Sequence, residues 1–165
     1  MIDVASLALE RGRSMIETNL QRQVAKGTIN AADRAAALSR ITTATDASVV
    51  SDSDLVIEAA TEDLNLKLRL LHRIGEQLKP GGLIASNTSL ISITKLAAAT
   101  PCAERFMGLH FFNPVPMMPL VELIRGVQTA DSTAAAMADL RGASARRRSR
   151  CATPQVLSSA GCFAQ

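Results

Sequence analysis

The chain has 165 residues, 47% of them hydrophobic, and a formal net charge of +3 at pH 7. That length suits one domain with one sizeable core; with no Trp, no Tyr and four Phe the core must be aliphatic, which argues against base stacking and hence against a nucleic-acid partner. No apolar run approaches the roughly 20 residues of a membrane span, and the N-terminus lacks the basic start and apolar stretch of a secretory signal.

In chain order, residues 6–26 read as a long helix with Leu9, Ile16, Leu20 and Val24 on one face. Gly27 stops it, and Asn30 caps a second helix over residues 31–39. Residues 41–43 look like a short strand. Asp52-Ser53-Asp54 turns into an apolar run, 55–59, of the kind found in buried parallel strands. Asp63 opens a helix with Leu64, Leu68, Leu71 and Leu78 on a common stripe, closed by Pro80-Gly81-Gly82. Residues 83–86 form another buried strand, 92–99 a short helix, 105–111 a strand and 120–124 a further strand. Strand and helix alternate, so an α/β domain with a mainly parallel sheet is expected.

After Leu140 the apolar pattern ends and Arg, Ser, Ala and Cys take over, which places a domain boundary there. Arg146, Arg147, Arg148 and Arg150 lie in this tail with no acidic residue after 142, so the rest of the chain is close to neutral, net −1. The three cysteines (Cys102, Cys151, Cys162) show no CxxC or Cys/His metal spacing and read as reduced thiols of a cytoplasmic protein.

The chemistry concentrates between Leu83 and Glu122. His110 ends the strand RFMGLH and is followed by Phe-Phe-Asn-Pro, a turn signal. Strand C-termini line the cleft of open α/β sheets, so His110 is a candidate general base, with Glu122, twelve residues on, as the carboxylate that orients it. Taken alone, a histidine at a strand end is more often structural or solvent-exposed than catalytic, a reading that the cleft position and the following turn reverse, and Glu122 also reads as an ordinary edge-strand charge. Ser89, in the Asn-Thr-Ser turn 21 residues before His110, reads by residue type as a helix cap. Glu62 and Lys67 read as a surface pair on the first turns of a helix.

The SNTS and LHFFNP segments together make residues 2–140 resemble the cofactor-binding domain of the 3-hydroxyacyl-CoA dehydrogenases. The resemblance implies a Rossmann-type doubly wound parallel sheet, NAD as cofactor and L-3-hydroxyacyl-CoA as substrate, oxidised to 3-ketoacyl-CoA in fatty acid metabolism. It implies the His110–Glu122 dyad as base and Ser89 as a hydroxyl touching cofactor and substrate. Glu62 and Lys67 would lie beside the nicotinamide ribose, and Asn113 would contact cofactor or substrate. Asp3, in the run DVASLALERG, would hydrogen-bond the adenosine ribose and repel a 2′-phosphate, favouring NAD over NADP. His72 has no such match and reads as a surface residue. The family usually has Asn-Thr-Ser-Ser-Leu, whereas Leu90 follows Ser89 directly here.

Two further departures shape the expectation. The phosphate loop GxGxxG occurs nowhere in the sequence, so the chain is expected to start inside the second strand and to lack the sheet's central first strand, leaving unpaired strand edges. Residues 141–165 do not follow the family, yet read one frame over they permit Asp-Ala-Pro-Gly-Phe-Val-Val-Ser-Arg, the family's next segment with Ser where the family has Asn. The expected organisation is therefore a partial NAD-binding domain over 1–140 and a non-native or disordered basic tail over 141–165, produced by a frameshift near 138–142. Without the family's helical C-terminal domain, which closes the acyl-CoA cleft and carries its homodimer contact, little or no activity is expected from this chain alone. The competing expectations are a non-catalytic interaction module with a basic tail, and a related hydroxyacid or sugar-acid dehydrogenase.

Overall fold

The computed structural model describes residues 1–115, 118 and 120–148, the last eight as backbone only. Two compact units are present, Met1–Val49 and a second beginning at Val50. The helix Asp131–Arg148 runs unbroken through the expected boundary after Leu140; beyond residue 148 the expected tail lies outside the described residues.

The first unit holds α1 (Ser6–Ala25) and α2 (Ala31–Ser39). Gly27 takes φ 67°, a left-handed turn that only glycine adopts without strain. Asn30 then caps α2, its side chain accepting the Asp33 N–H at 2.7 Å. Arg34 bridges the two helices to Glu17 at 2.8 Å. Leu9 is buried, while the rest of the expected α1 stripe (Ile16, Leu20, Val24) is half-buried. The expected strand over 41–43 does not form. A single parallel bridge joins Ile2 to Ala44 instead. The physical reason is pairing: a strand exists through a ladder, and the five residues before Ser6 offer only one bridge.

A 3-10 turn, Ala47–Asp52, which periodicity did not reveal, spans the start of the second unit. Its sheet has the order β1 (Leu55–Glu58), β2 (Leu83–Ser86), β3 (Phe106–Phe111), β4 (Val121–Arg125). β1 pairs β2 and β2 pairs β3 in parallel, whereas β3 pairs β4 antiparallel. β1 is the sheet's edge on one side. Between the strands run α3 (Leu64–Gln77) and α4 (Ile93–Ala97), and α5 (Asp131–Arg148) follows β4. Asp63 caps α3 by accepting the Leu66 N–H at 2.8 Å, and Gly81, at φ 82°, turns the chain back into β2.

Alternation along β2 and β3 sends side chains to both faces. Ile84 and Phe106 point to one, packing with Leu71, Ile74 and Leu78 of α3 and its end and with Ile93 and Leu96 of α4. Ala85, Met107 and Leu109 point to the other, packing with Met137 of α5. Both faces are therefore covered, the doubly wound α/β arrangement anticipated from the alternation of elements. Each fully buried Leu, Ile or Phe contributes about 1.5–3 kcal/mol, so these two layers hold the strand ends that carry the site.

Candidate functional site

His110 is the penultimate residue of β3, and the antiparallel ladder makes Glu122 of β4 its Cα partner. Their side chains meet with Nδ1 of His110 3.0 Å from a Glu122 oxygen. An ionised carboxylate can only accept, so Nδ1 carries the hydrogen and Nε2 keeps a free lone pair. The Ser89 hydroxyl lies 3.1 Å from that Nε2 and donates to it. The Phe112 ring tilts against the imidazole at 4.7 Å between centroids, limiting its rotation. His110 and Glu122 are half-buried, with 18% and 36% of their side chains exposed, so the pair is reached from solvent at the strand ends.

Ser89 is held by a turn whose hydrogen bonds tie three strand ends together. The Asn87 N–H donates to the Glu58 carbonyl at 2.8 Å, and its side-chain oxygen accepts the Phe111 N–H at 2.8 Å. Thr88 Oγ donates to the Glu62 carboxylate at 2.9 Å and accepts from the Leu90 and Ile91 N–H groups. The Ser89 N–H donates to the same carboxylate at 3.1 Å. Burial is the largest single influence on Glu62 and pushes its carboxyl up. The Ser89 N–H, the Thr88 hydroxyl and the charges of Lys67 and His110 together outweigh it, so the group is held below its ordinary value.

Lys67 lies underneath, with 1% of its side chain exposed. Its ammonium donates to both Glu58 oxygens, at 2.7 and 3.0 Å, and to the Ala60 carbonyl at 3.2 Å. It stands 3.8 Å from a Glu62 oxygen. Glu58 also accepts the Ala60 N–H at 2.6 Å and the Ser86 hydroxyl at 2.7 Å.

Five of the residues singled out in the sequence, His110, Glu122, Ser89, Glu62 and Lys67, thus form one connected network. Asn113 is exposed in the turn after β3, at a cis peptide bond to Pro114. Asp3 belongs to the first unit, where its carboxylate accepts the Ala5 N–H at 2.9 Å. His72 is exposed on α3, 3.5 Å from Glu76. Sequence reading passed over Asn87, Thr88, Glu58 and Ser86. A signal for Glu58 existed: an acid inside an apolar strand run is almost never buried unpaired, and Lys67 follows nine residues later on the next helix.

Residues 1–147 match the family described as 3-hydroxyacyl-CoA dehydrogenase, NAD binding domain. The chain is 49% identical over 131 residues to a 3-hydroxybutyryl-CoA dehydrogenase of Bradyrhizobium diazoefficiens, covering 79% of this chain and 45% of that protein. It is 41% identical over 136 residues to that of Mycobacterium tuberculosis, covering 82% and 48%. The crystal structure of a (S)-3-hydroxybutyryl-CoA dehydrogenase from Ralstonia eutropha superposes with a TM-score of 0.83 at 48% identity, over 86% of this chain and 50% of that one. The chain spans about half the length of the relatives it matches.

Proposed function

The chain belongs to the 3-hydroxyacyl-CoA dehydrogenase family, whose NAD-binding domain it matches, and on that premise we propose that it carries the catalytic base and the nicotinamide face for NAD-dependent oxidation of an L-3-hydroxyacyl-CoA to the 3-ketoacyl-CoA. The observation that carries this reading is the line Glu122–His110–Ser89, with both ring nitrogens engaged at 3.0 and 3.1 Å.

His110 Nε2 takes the proton of the substrate hydroxyl, and Glu122 stabilises the imidazolium that results. The Ser89 hydroxyl marks the position that the substrate oxygen reaches beside Nε2 and holds it by hydrogen bonding. NAD, when bound, accepts the hydride from the carbinol carbon. The donor set fits the nicotinamide-ribose side: the Glu62 carboxylate is 41% exposed at the strand ends, ready to accept from ribose hydroxyls. Glu62 and Asn113 would hold that side, Asp3 the adenosine ribose, and Lys67 would act on it from beneath. Homologous names support a short acyl-CoA as substrate, and family precedent a homodimer. We place the protein in the cytoplasm, in line with cysteine spacing that suggests no disulfide or metal site.

Because the chain spans half of its relatives, we propose that its residues act together with the remainder of such an enzyme and turn over little alone. The test is a chimera in which residues 2–140 replace the matching segment of the Bradyrhizobium diazoefficiens enzyme. NADH formation from L-3-hydroxybutyryl-CoA is expected from the chimera and not from its His110→Gln variant. A folded chimera without activity would sink the reading, as would an active His110→Gln variant.

A further inference from the structure

The buried pair beneath the site takes no part in proton transfer, and its geometry calls for another role. Glu58 is 3% exposed and Lys67 1%. The Glu58 carboxylate is held from three directions, by Lys67, by the Ala60 N–H and by the Ser86 hydroxyl of the neighbouring strand. It therefore cannot follow the ammonium, and the ammonium is fixed to it. The only other carboxylate within ion-pair distance of Lys67, among the described residues, is Glu62 at 3.8 Å. Glu62 in turn fixes the Ser89 backbone and Thr88. An ion pair buried for stability alone is a poor device, because two apolar side chains of the same volume serve as well or better.

We propose that Glu58, with Ser86, is a positioning residue: it seats the Lys67 ammonium beneath Glu62, so that Glu62 keeps its hold on the Ser89 loop and the Ser89 hydroxyl stays on His110. The inference rests on Ser89 and His110 being the reacting pair. Two competing demands meet at Lys67. With Glu58 in place, the ammonium is nearly satisfied and exerts a moderate pull on Glu62. Without it, Glu62 becomes the sole carboxylate partner and is drawn off the Ser89 N–H. With both charges removed, Glu62 loses its support from below and the Ser89 loop loosens.

The test is hydrogen exchange of the Ser89 amide, read by NMR in the full chain, in the unaltered protein and in the Glu58→Gln/Lys67→Met variant. This pair keeps the volume and buries no charge. Expected is Ser89 exchange at least about five-fold faster, with amides of β2 and β3 unchanged and most of the thermal stability kept. Unchanged Ser89 exchange in the folded variant would reduce the pair to scaffold and overturn the proposal. Should that variant not fold, Ser86→Ala decides the question, since it deletes one buried hydroxyl and keeps both charges. Ser89 exchange accelerated at least about two-fold supports the proposal, and unchanged exchange overturns it. Neither readout depends on turnover, so failure here is distinguishable from failure of the dehydrogenase reading.

Discussion

His110 and Glu122 are Cα partners across β3 and β4, and their side chains meet at 3.0 Å. Twelve residues separate them in the chain, but the antiparallel ladder makes them neighbours, so the dyad is a property of strand register. A one-residue slip would turn one of the two to the opposite face.

In the chimera, His110→Gln is expected to lower kcat by about 10²–10⁴-fold, the usual worth of a general base, with KM for the acyl-CoA little changed. Glu122→Gln keeps the hydrogen-bonding shape but removes the charge that stabilises the imidazolium, and a loss of about 10–10³-fold is expected. Steady-state kinetics on both variants decides. An equal rise in KM with kcat intact would show that these residues bind substrate without acting on it.

The pH dependence of the Ser89 turn follows from Glu62. Its carboxyl is held below the ordinary glutamate value, so its contribution is present above the unfolded-state value and is lost as pH falls through the depressed folded one. The Ser89 and Thr88 contacts are therefore expected to persist through neutral and mildly acid pH. They should release only below the ordinary carboxylate range. Following the Ser89 amide resonance against pH checks this; a transition near neutral pH would contradict it.

Much of this was legible in the sequence because local signals matched tertiary demands. Asp63, Asn30 and Ser92 cap the helices they precede, and the apolar run at 83–86 is a strand with those bounds. SNTS and HFFNP marked the candidate site through the family resemblance, and the same segments bring the Ser89 hydroxyl to His110. What the sequence withheld depended on partners. Residues 41–43 have the look of a strand but no ladder to join, and the antiparallel sense of β4 shows only in its pairing with β3. Glu58 was hidden because periodicity registers apolar faces and passes over a charge whose burial depends on a lysine arriving from the next helix.

That lysine gives a stability prediction. Lys67→Met alone leaves the Glu58 carboxylate buried without its cation, and a loss of about 3–5 kcal/mol is expected. Most of it should return in the Glu58→Gln/Lys67→Met variant, since neither charge is then stranded. Urea unfolding of the three proteins measures this. If the single variant lost under about 1 kcal/mol, the pair would be effectively solvated in solution.

Gly108 links packing to chemistry. It lies two residues before His110 and opposite Ile124 in the register. A Cβ there would come within 2.8 Å of the Ile124 Cβ and 2.9 Å of Cδ1 and Cγ1 of Ile93. The Ile124 Cβ is anchored directly to the β4 backbone, so only movement of the strand relieves that contact; the Ile93 side chain can yield only by leaving its rotamer. Gly108→Ala is therefore expected to cost about 1–3 kcal/mol, as over-packing does. Because the relief comes from displacing β4, the same change should also weaken the His110–Glu122 contact and lower kcat in the chimera. Ile93→Val, added to Gly108→Ala, removes the Cδ1 clash and leaves those at Ile93 Cγ1 and Ile124 Cβ. It should restore part of the stability and little of the activity. Full recovery of both would place the strain on α4 and acquit the strand pair that carries the dyad.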